Sequence, residues 1–315
     1  MGPPDLAARP RRVTVLHNPT SGDASPDAES LLPMLEEAGY ETRYQSTKDA
    51  WEGALQWPAD LVAVVGGDGT VGKVARELAG RELPFTILPT GKANNVAKTL
   101  GISGDAQAVA RSWASAGARN RPFDIWDIGS HRGRARSIEA VGGGFIAATM
   151  ARSSELRPPT LVLGGTLDRA LHLVREALSD ETEAHWDIQV DGRDLSGSYI
   201  GVEAMNIRAV GPNLRLLPAA DPGDGLIDVV LVRAQDRARL QDWLISLEQA
   251  RARDVPELSV ERGRDVRLLP PVSAAVHIDD ESWAPGTSKD ESGETSIHIR
   301  LAGQARVLIG ADAGS

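Results

Sequence analysis

Three short turns rich in glycine, asparagine and hydroxyl side chains each follow a short apolar run: Asn18-Pro19-Thr20-Ser21-Gly22, Gly66-Gly67-Asp68-Gly69-Thr70 and Pro89-Thr90-Gly91-Lys92-Ala93-Asn94-Asn95. Glycine removes the side chain that would keep a ligand away from main-chain N–H groups. Where such a turn opens a helix, its unpaired N–H groups and the helix dipole converge on one spot and favour an anion such as phosphate. The middle turn is the most informative. It follows Leu61–Val65, an unbroken apolar run suited to a strand buried on both faces of a parallel sheet. Thr70 stands where the N-cap of a helix running to Leu78 is expected. Asp68, inside the turn, adds a carboxylate, as expected where phosphate arrives with a metal ion. The same residues also fit a purely structural strand-to-helix connection.

Two acidic segments lie further along. Asp221-Pro-Gly-Asp224-Gly-Leu226 holds two carboxylates three residues apart, with Gly223 and Gly225 bending the chain. Such a turn can set oxygens around a hard cation, and alone it also reads as an ordinary β-turn ahead of a strand. Asp279-Asp280-Glu281 groups three carboxylates, which suit either a proton acceptor or a solvated turn. The six histidines are scattered without metal-ligand spacing and read as surface or packing residues. No Gly-x-Ser-x-Gly elbow points to a hydrolase.

Positioning these residues falls to an alternation of strands and helices from Arg11 to about Asp124. Strands are expected at Val13–His17, Glu41–Gln45, Leu61–Val65 and Phe85–Leu88, with helices at Ala28–Ala38, Ala50–Gln56, up to Leu78, and at Val96–Leu100. All three turns then fall on the carboxyl edge of one sheet, where open α/β sheets bind ligands. Beyond Asp124 short β-like runs dominate, interrupted by helical stretches at Gly165–Leu178 and Asp236–Ala252, and a β-sandwich is expected. Trp283–Gly293 reads as a surface loop, and Gly142-Gly-Gly-Phe145 as either a close backbone approach or a bulge.

Composition narrows the function classes. The chain has 315 residues, 41% apolar and 25% charged, enough for two domains with separate cores. It has no cysteine, which excludes disulfides and thiolate chemistry and fits a cytoplasmic setting. No apolar run has transmembrane length, and the N-terminus lacks a signal-like segment. A net charge of −10 argues against a nucleic-acid binder. The basic run His131–Arg136, with Arg152 and Arg157, could meet an anionic membrane surface at the inner membrane face, or be a solvated hairpin.

Together the motifs resemble the bacterial lipid kinases with a diacylglycerol kinase catalytic domain, relatives of sphingosine and ceramide kinases. Asn18–Gly22 resembles the family's first nucleotide loop, Gly66–Thr70 its signature, and Pro89–Ala97 its third loop; Met205-Asn206, Asp221–Asp228 and Ile278–Glu281 follow in order. The resemblance implies an α/β Rossmann-like nucleotide-binding domain over 11–124, with 303–312 returning to it. It implies a β-sandwich lipid-substrate domain over 125–302, and an active site in the cleft between the two. ATP and Mg2+ are the implied cofactors, and the partner is a lipid presented at a membrane surface. An exposed strand edge could also pair two copies as a homodimer. Glu281 matches the family's proton acceptor, and Asp68 supports the nucleotide-bound metal. Asp221, Asp224 and the carbonyl of Leu226 match its magnesium site. Asn18, Pro19, Thr20, Ser21, Gly22, Thr47, Gly66, Gly67, Gly69, Thr70, Gly91, Lys92 and Asn94 are the implied nucleotide contacts, and Asp124 extends the acidic network.

The chain departs from the family pattern at four positions. Gly72 and Lys73 stand where Asn and Glu are common, Lys92 where Thr is usual, and Asn95 where Asp is frequent. These changes remove carboxylates and add two ammonium groups near the phosphate pocket. Two other functions therefore stay in view: a nucleotide-binding regulatory protein with weak turnover, and a kinase of the NAD kinase type with a soluble acceptor.

Overall fold

The computed structural model describes residues 11–22, 27–130, 133–155, 166–249, 251, 254–272, 274–283 and 296–311. Two compact units emerge: 1–125 with 222–224 and 302–315, and 126–221 with 225–301.

The first unit contains β1 (Arg12–His17), α1 (Ala28–Glu37), β2 (Glu41–Ser46), β3 (Leu61–Gly66), α2 (Asp68–Leu78), β4 (Phe85–Pro89), α3 (Asn95–Thr99), α4 (Ala106–Ser112) and the start of β5 (Arg119–Ser130). Strand β1 pairs in parallel with both β2 and β3, and β3 with β4, giving the order β2-β1-β3-β4. Every residue of β3 is buried, which is why its sequence shows no polar alternation. Because β1 lies between β2 and β3, the strand order reverses beside it, and such a switch point opens a crevice at the carboxyl ends. Helices α1 and α4 open on aspartate caps: Asp27 accepts from Ser30 N–H and Asp105 from Ala108 N–H, each at 2.7 Å.

Two local expectations are corrected, and one helix is added. Helix α2 starts at Asp68 with Gly67 as its N-cap, so Thr70 sits inside the first turn. Ala50–Gln56 forms only a 3-10 turn, Glu52–Gln56. Helix α4, over a short and weakly patterned segment, was not expected at all.

The second unit continues β5 and adds β6 (Gly133–Ser137), β7 (Ala140–Gly144), α5 (Phe145–Glu155), α6 (Thr166–Asp180), β8 (Ala184–Val190), β9 (Arg193–Asp194), β10 (Gly197–Tyr199), β11 (Gly201–Met205), β12 (Ile227–Val232), α7 (Arg237–Glu248), β13 (Ser259–Gly263), β14 (Asp265–Leu269), β15 (Val276–Ile278), β16 (Glu281–Trp283) and the first part of β17 (Ile297–Ile309), whose remainder belongs to the first unit. Strands β13-β12-β11-β7-β15-β16 form one antiparallel sheet. Its inner face packs Val141, Val202, Val229 and Leu231 against Trp186, Ile188 and Val266 of the second sheet, which makes the sandwich. Its other face carries Met205, Val230 and Val232 against Leu171, Leu240 and Trp243 of the helices. Covered on both sides, β12 is buried throughout. The helical layer goes beyond the plain sandwich expected from sequence. Ser296–Leu301 and Ala305–Ile309 are one continuous strand, β17, whose Val307 aligns in parallel with Phe85 of β4.

The three glycines of β7 are used inside the unit. A Cβ on Gly143 would lie 2.7 Å from the Trp186 ring, and one on Gly142 2.2 Å from the Glu203 carboxylate. The loop beyond Trp283 and residues His131, Arg132 and Arg157 lie outside the described residues. Arg134 and Arg136 approach Asp127 at 3.6 and 3.4 Å, and Arg152 pairs with Asp180 at 3.0 Å.

Candidate functional site

Four strand ends of the first unit bring the predicted nucleotide residues to one edge. His17 aligns with Ser46 and Val65, and Gly66 with Pro89, so the segments starting at Asn18, Thr47, Gly67 and Thr90 leave the sheet side by side. Asn18 organises the first two loops. Its Nδ2 donates to Thr70 Oγ1 at 3.1 Å, and its Oδ1 accepts from Thr20 N–H at 3.2 Å and Thr20 Oγ1 at 3.0 Å. Its main-chain N–H donates to Val65 O at 2.9 Å, and Thr47 N–H to His17 O at 2.8 Å.

The loops are packed backbone to backbone, which explains their glycines. A Cβ on Gly91 would come within 2.5 Å of Gly67 Cα, and one on Gly22 within 2.0 Å of Thr90 O. Gly22 also has φ +69°, the left-handed region that costs other residues roughly 1–2 kcal/mol. Asn94, at φ 51°, closes the third loop by accepting from Gly91 N–H at 3.0 Å and donating to Gly91 O at 2.7 Å. Ser21 and Thr70 are buried, whereas Pro19, Thr20, Gly69, Lys73 and Lys92 are exposed. The edge is thus a packed floor with an exposed, hydroxyl- and ammonium-bearing lip.

Asp68 has a role the sequence did not reveal. Its two oxygens accept from the N–H groups of Asn95 and Val96, each at 3.0 Å, so the acid of the second loop caps the helix that follows the third. A carboxylate suits this place, since it pairs two orphan donors and offsets the helix dipole. Asp68→Ala is expected to lower stability by about 1–2 kcal/mol in thermal or urea melts, with Asp68→Asn losing less. Lys98, on α3, adds a cation here: burial holds its ammonium below the ordinary lysine value while Asp68 pulls it up. Beneath the first loop, burial likewise lowers the pKa of His17, whose Nδ1 lies 3.2 Å from the Tyr44 hydroxyl.

In the second unit Asp228 and Glu281 lie at one end of the six-stranded sheet. Asp228 aligns with Met205, Met205 with Ala140, and Ile278 with both Val141 and Glu281. Asp228 pairs with Arg262 at 2.5 Å, and Asn206 Nδ2 donates to Ile138 O at 2.8 Å. Asp279 is clasped rather than solvated: its Oδ1 accepts from Ser137 Oγ at 2.5 Å and Glu139 N–H at 2.9 Å, with Ile138 N–H close to both oxygens. Glu281, two residues on, opens β16 with its side chain exposed.

The Asp221–Leu226 turn leads into β12. Asp221 is half-buried and Asp224 exposed, with Gly225 at φ +71°. Pro222 O accepts from Asp124 N–H at 2.6 Å, and the buried Asp124 carboxylate accepts from Gln304 at 2.7 Å, so Asp124 is bound into the scaffold behind this turn. Among the described residues no three acidic, histidine or cysteine side chains form a metal cluster. The donor chemistry of Asp221, Asp224 and the Leu226 carbonyl is all oxygen, which fits a hard cation that completes its shell with water or phosphate.

The residues missed from sequence are Lys98 and a buried pair, Glu203 and His277, both 0% exposed and 2.8 Å apart. The available signal was a lone glutamate inside the apolar run Tyr199–Met205.

Two domain families match the chain. Residues 12–127 match the model of the diacylglycerol kinase catalytic domain, and residues 150–292 that of the YegS C-terminal NAD kinase beta sandwich-like domain. The chain is 25% identical over 272 residues to a diacylglycerol kinase of Mycobacterium tuberculosis (strain CDC 1551 / Oshkosh), covering 82% of this chain and 84% of that one. It is 28% identical over 240 residues to a diacylglycerol kinase of Bacillus subtilis (strain 168), covering 72% and 76%. A solved diacylglycerol kinase structure from Bacillus anthracis str. Sterne has a TM-score of 0.71 at 17% identity, over 96% of this chain and 98% of that one, a likeness of fold.

Proposed function

This chain belongs to the bacterial diacylglycerol kinase-like lipid kinases, and from that premise we propose that it transfers the γ-phosphate of ATP to the hydroxyl of a diacylglycerol-like or other long-chain lipid. The observation that carries this is the close packing of Gly22 on Thr90 and Gly67 on Gly91, which joins three glycine turns into one surface at the sheet's switch point. The start of α2 lies on this surface, where the helix dipole favours an anion such as a polyphosphate.

In this reading the lipid hydroxyl oxygen forms the new bond to the γ-phosphorus while the bond to the ADP oxygen breaks. Glu281 takes the hydroxyl proton, and ADP leaves with the bridging oxygen. Asn18, Thr20, Thr47 and Asn94 orient the nucleotide through hydroxyl and amide groups, and Lys92 and Lys98 offset phosphate charge. Asp221, Asp224 and the Leu226 carbonyl would hold Mg2+, which when bound neutralises phosphate charge. The acceptor is collected by peripheral contact with a membrane surface; no described helix is long and apolar enough to cross one.

Lys92 is the family departure most directly on the lip. Lys92→Ala is expected to raise KM for MgATP about fivefold with little change in kcat, as for loss of one exposed charge contact worth about 1 kcal/mol. Steady-state kinetics checks this.

The function itself is tested with ATP labelled in the γ-phosphate, offered with diacylglycerol in mixed micelles and, in parallel, with NAD. Label is expected in the organic phase. Label in a phosphorylated dinucleotide would favour the NAD kinase type, in keeping with the sandwich domain's resemblance. Nucleotide binding with no labelled product would favour a regulatory protein.

A further inference from the structure

We propose that the buried Glu203–His277 pair is a positioning device for Glu281, locking the β15–β16 turn through a proton shared between the two side chains. The inference rests on the reading of Glu281 as proton acceptor.

Gly142 of β7 aligns with Glu203 of β11 on one side and His277 of β15 on the other. Glycine has no side chain, so the two flanking residues reach each other across it on the helix-covered face of the sheet. His277 Nε2 lies 2.8 Å from Glu203 Oε2, and any Cβ at position 142 would collide with that carboxylate. Burying two ionisable groups is costly unless they are paired and hydrogen-bonded. The cost here includes Glu203 Oε1, which has no hydrogen-bond partner among the described residues. Such an arrangement is weak evidence for stability, and its attachment to the turn gives it a different purpose.

The other ring nitrogen of His277, Nδ1, lies 2.9 Å from the main-chain oxygen of Asp279. A carbonyl only accepts, so Nδ1 carries a hydrogen. Asp279 sits in the left-handed region at φ 51°, with its carboxylate held by Ser137, Ile138 and Glu139. It is thus gripped at its carbonyl from one side and at its carboxylate from the other. Only Asp280 separates it from Glu281, because Ile278 and Glu281 are cross-strand partners. Whatever fixes Asp279 therefore fixes the direction in which Glu281 leaves the turn.

With Nδ1 occupied, Nε2 and Oε2 need one proton between them. Burial lowers the His277 pKa, but Glu203 and the Asp279 carbonyl outweigh it and the net shift is upward. Among the described residues, the charged groups that reach the ring are Glu203 from β11 and Asp279 from the turn; β7 carries no charged residue, and Arg152 of α5 is engaged by Asp180. A raised histidine pKa contributes stability that is complete below the unfolded value of about 6.5 and is lost as pH rises through the folded value. Loss of the proton leaves two acceptors facing each other in buried space.

The test compares wild type, Glu203→Gln, Glu203→Leu and Glu281→Gln in the full chain, reading kcat and KM for MgATP from mildly acidic to alkaline pH. Glu203→Gln can donate its amide N–H to a neutral His277 Nε2, holding the turn without a titrating proton. It is expected to retain most of the neutral-pH turnover and to lack the alkaline fall in kcat seen in wild type. Glu203→Leu is expected to lose about ten- to a hundredfold in kcat with KM for MgATP unchanged. Superimposable pH profiles for wild type and Glu203→Gln would overturn the inference, whether or not Glu203→Leu folds. Undiminished turnover in Glu281→Gln would instead overturn the proton-acceptor reading, independently of the pair.

Discussion

Replacing Glu281 with glutamine lowers kcat by about two to four orders of magnitude, the usual contribution of a positioned general base, and leaves KM for MgATP near wild type. The amide matches the carboxylate in shape but cannot take up the acceptor's proton. Glu281 is also well placed for a clean result. Its side chain is exposed at the start of β16, whereas the neighbouring Asp279 carries the hydrogen bonds that hold the turn. The melting temperature should therefore stay unchanged, since exposed substitutions of this kind usually alter stability by no more than about 0.5 kcal/mol. Circular dichroism melts run beside the kinetics separate loss of a base from loss of a fold.

Gly22→Ala is the second large effect: nucleotide binding is abolished and the fold loses about 2–4 kcal/mol. Two costs combine. The residue adopts φ +69°, where a side chain is strained, and its Cβ would stand 2.0 Å from Thr90 O, a main-chain atom that cannot swing aside. Gly39→Ala is the matched control, because that residue has φ +95° with nothing within 4 Å. It should show the conformational cost alone, about 1 kcal/mol, with nucleotide affinity intact. Calorimetric titration with MgATP and urea melts on both variants measure the difference. Equal effects would mean that the loops are not held in close contact.

The first unit was largely legible because its signals are local. The Leu61–Val65 run announces a doubly buried strand, and the turns after His17, Val65 and Leu88 carry glycines whose purpose is steric. What failed there was also local: with Gly67 as cap, helix α2 begins two residues before Thr70. Asp68 stood out in the sequence as an acid within the turn, but its capping of α3 was not legible, since that helix is supplied by a different loop.

The second unit was legible in class and not in detail. Glu203 and His277 stand 74 positions apart and meet only through the register of β11, β7 and β15, which no local pattern encodes. Scattered histidines therefore read as surface or packing residues, and one of them proves fully buried and ion-paired. Asp279 and Glu281, two residues apart in the sequence, diverge because the hairpin turn sends one carboxylate inward and leaves the other exposed.

The most direct measurement is incubation of the purified protein with MgATP and a total lipid extract, followed by mass spectrometry of the lipids. The account predicts a new lipid phosphomonoester that depends on both ATP and Glu281. MgATP binding without any newly phosphorylated lipid would contradict it.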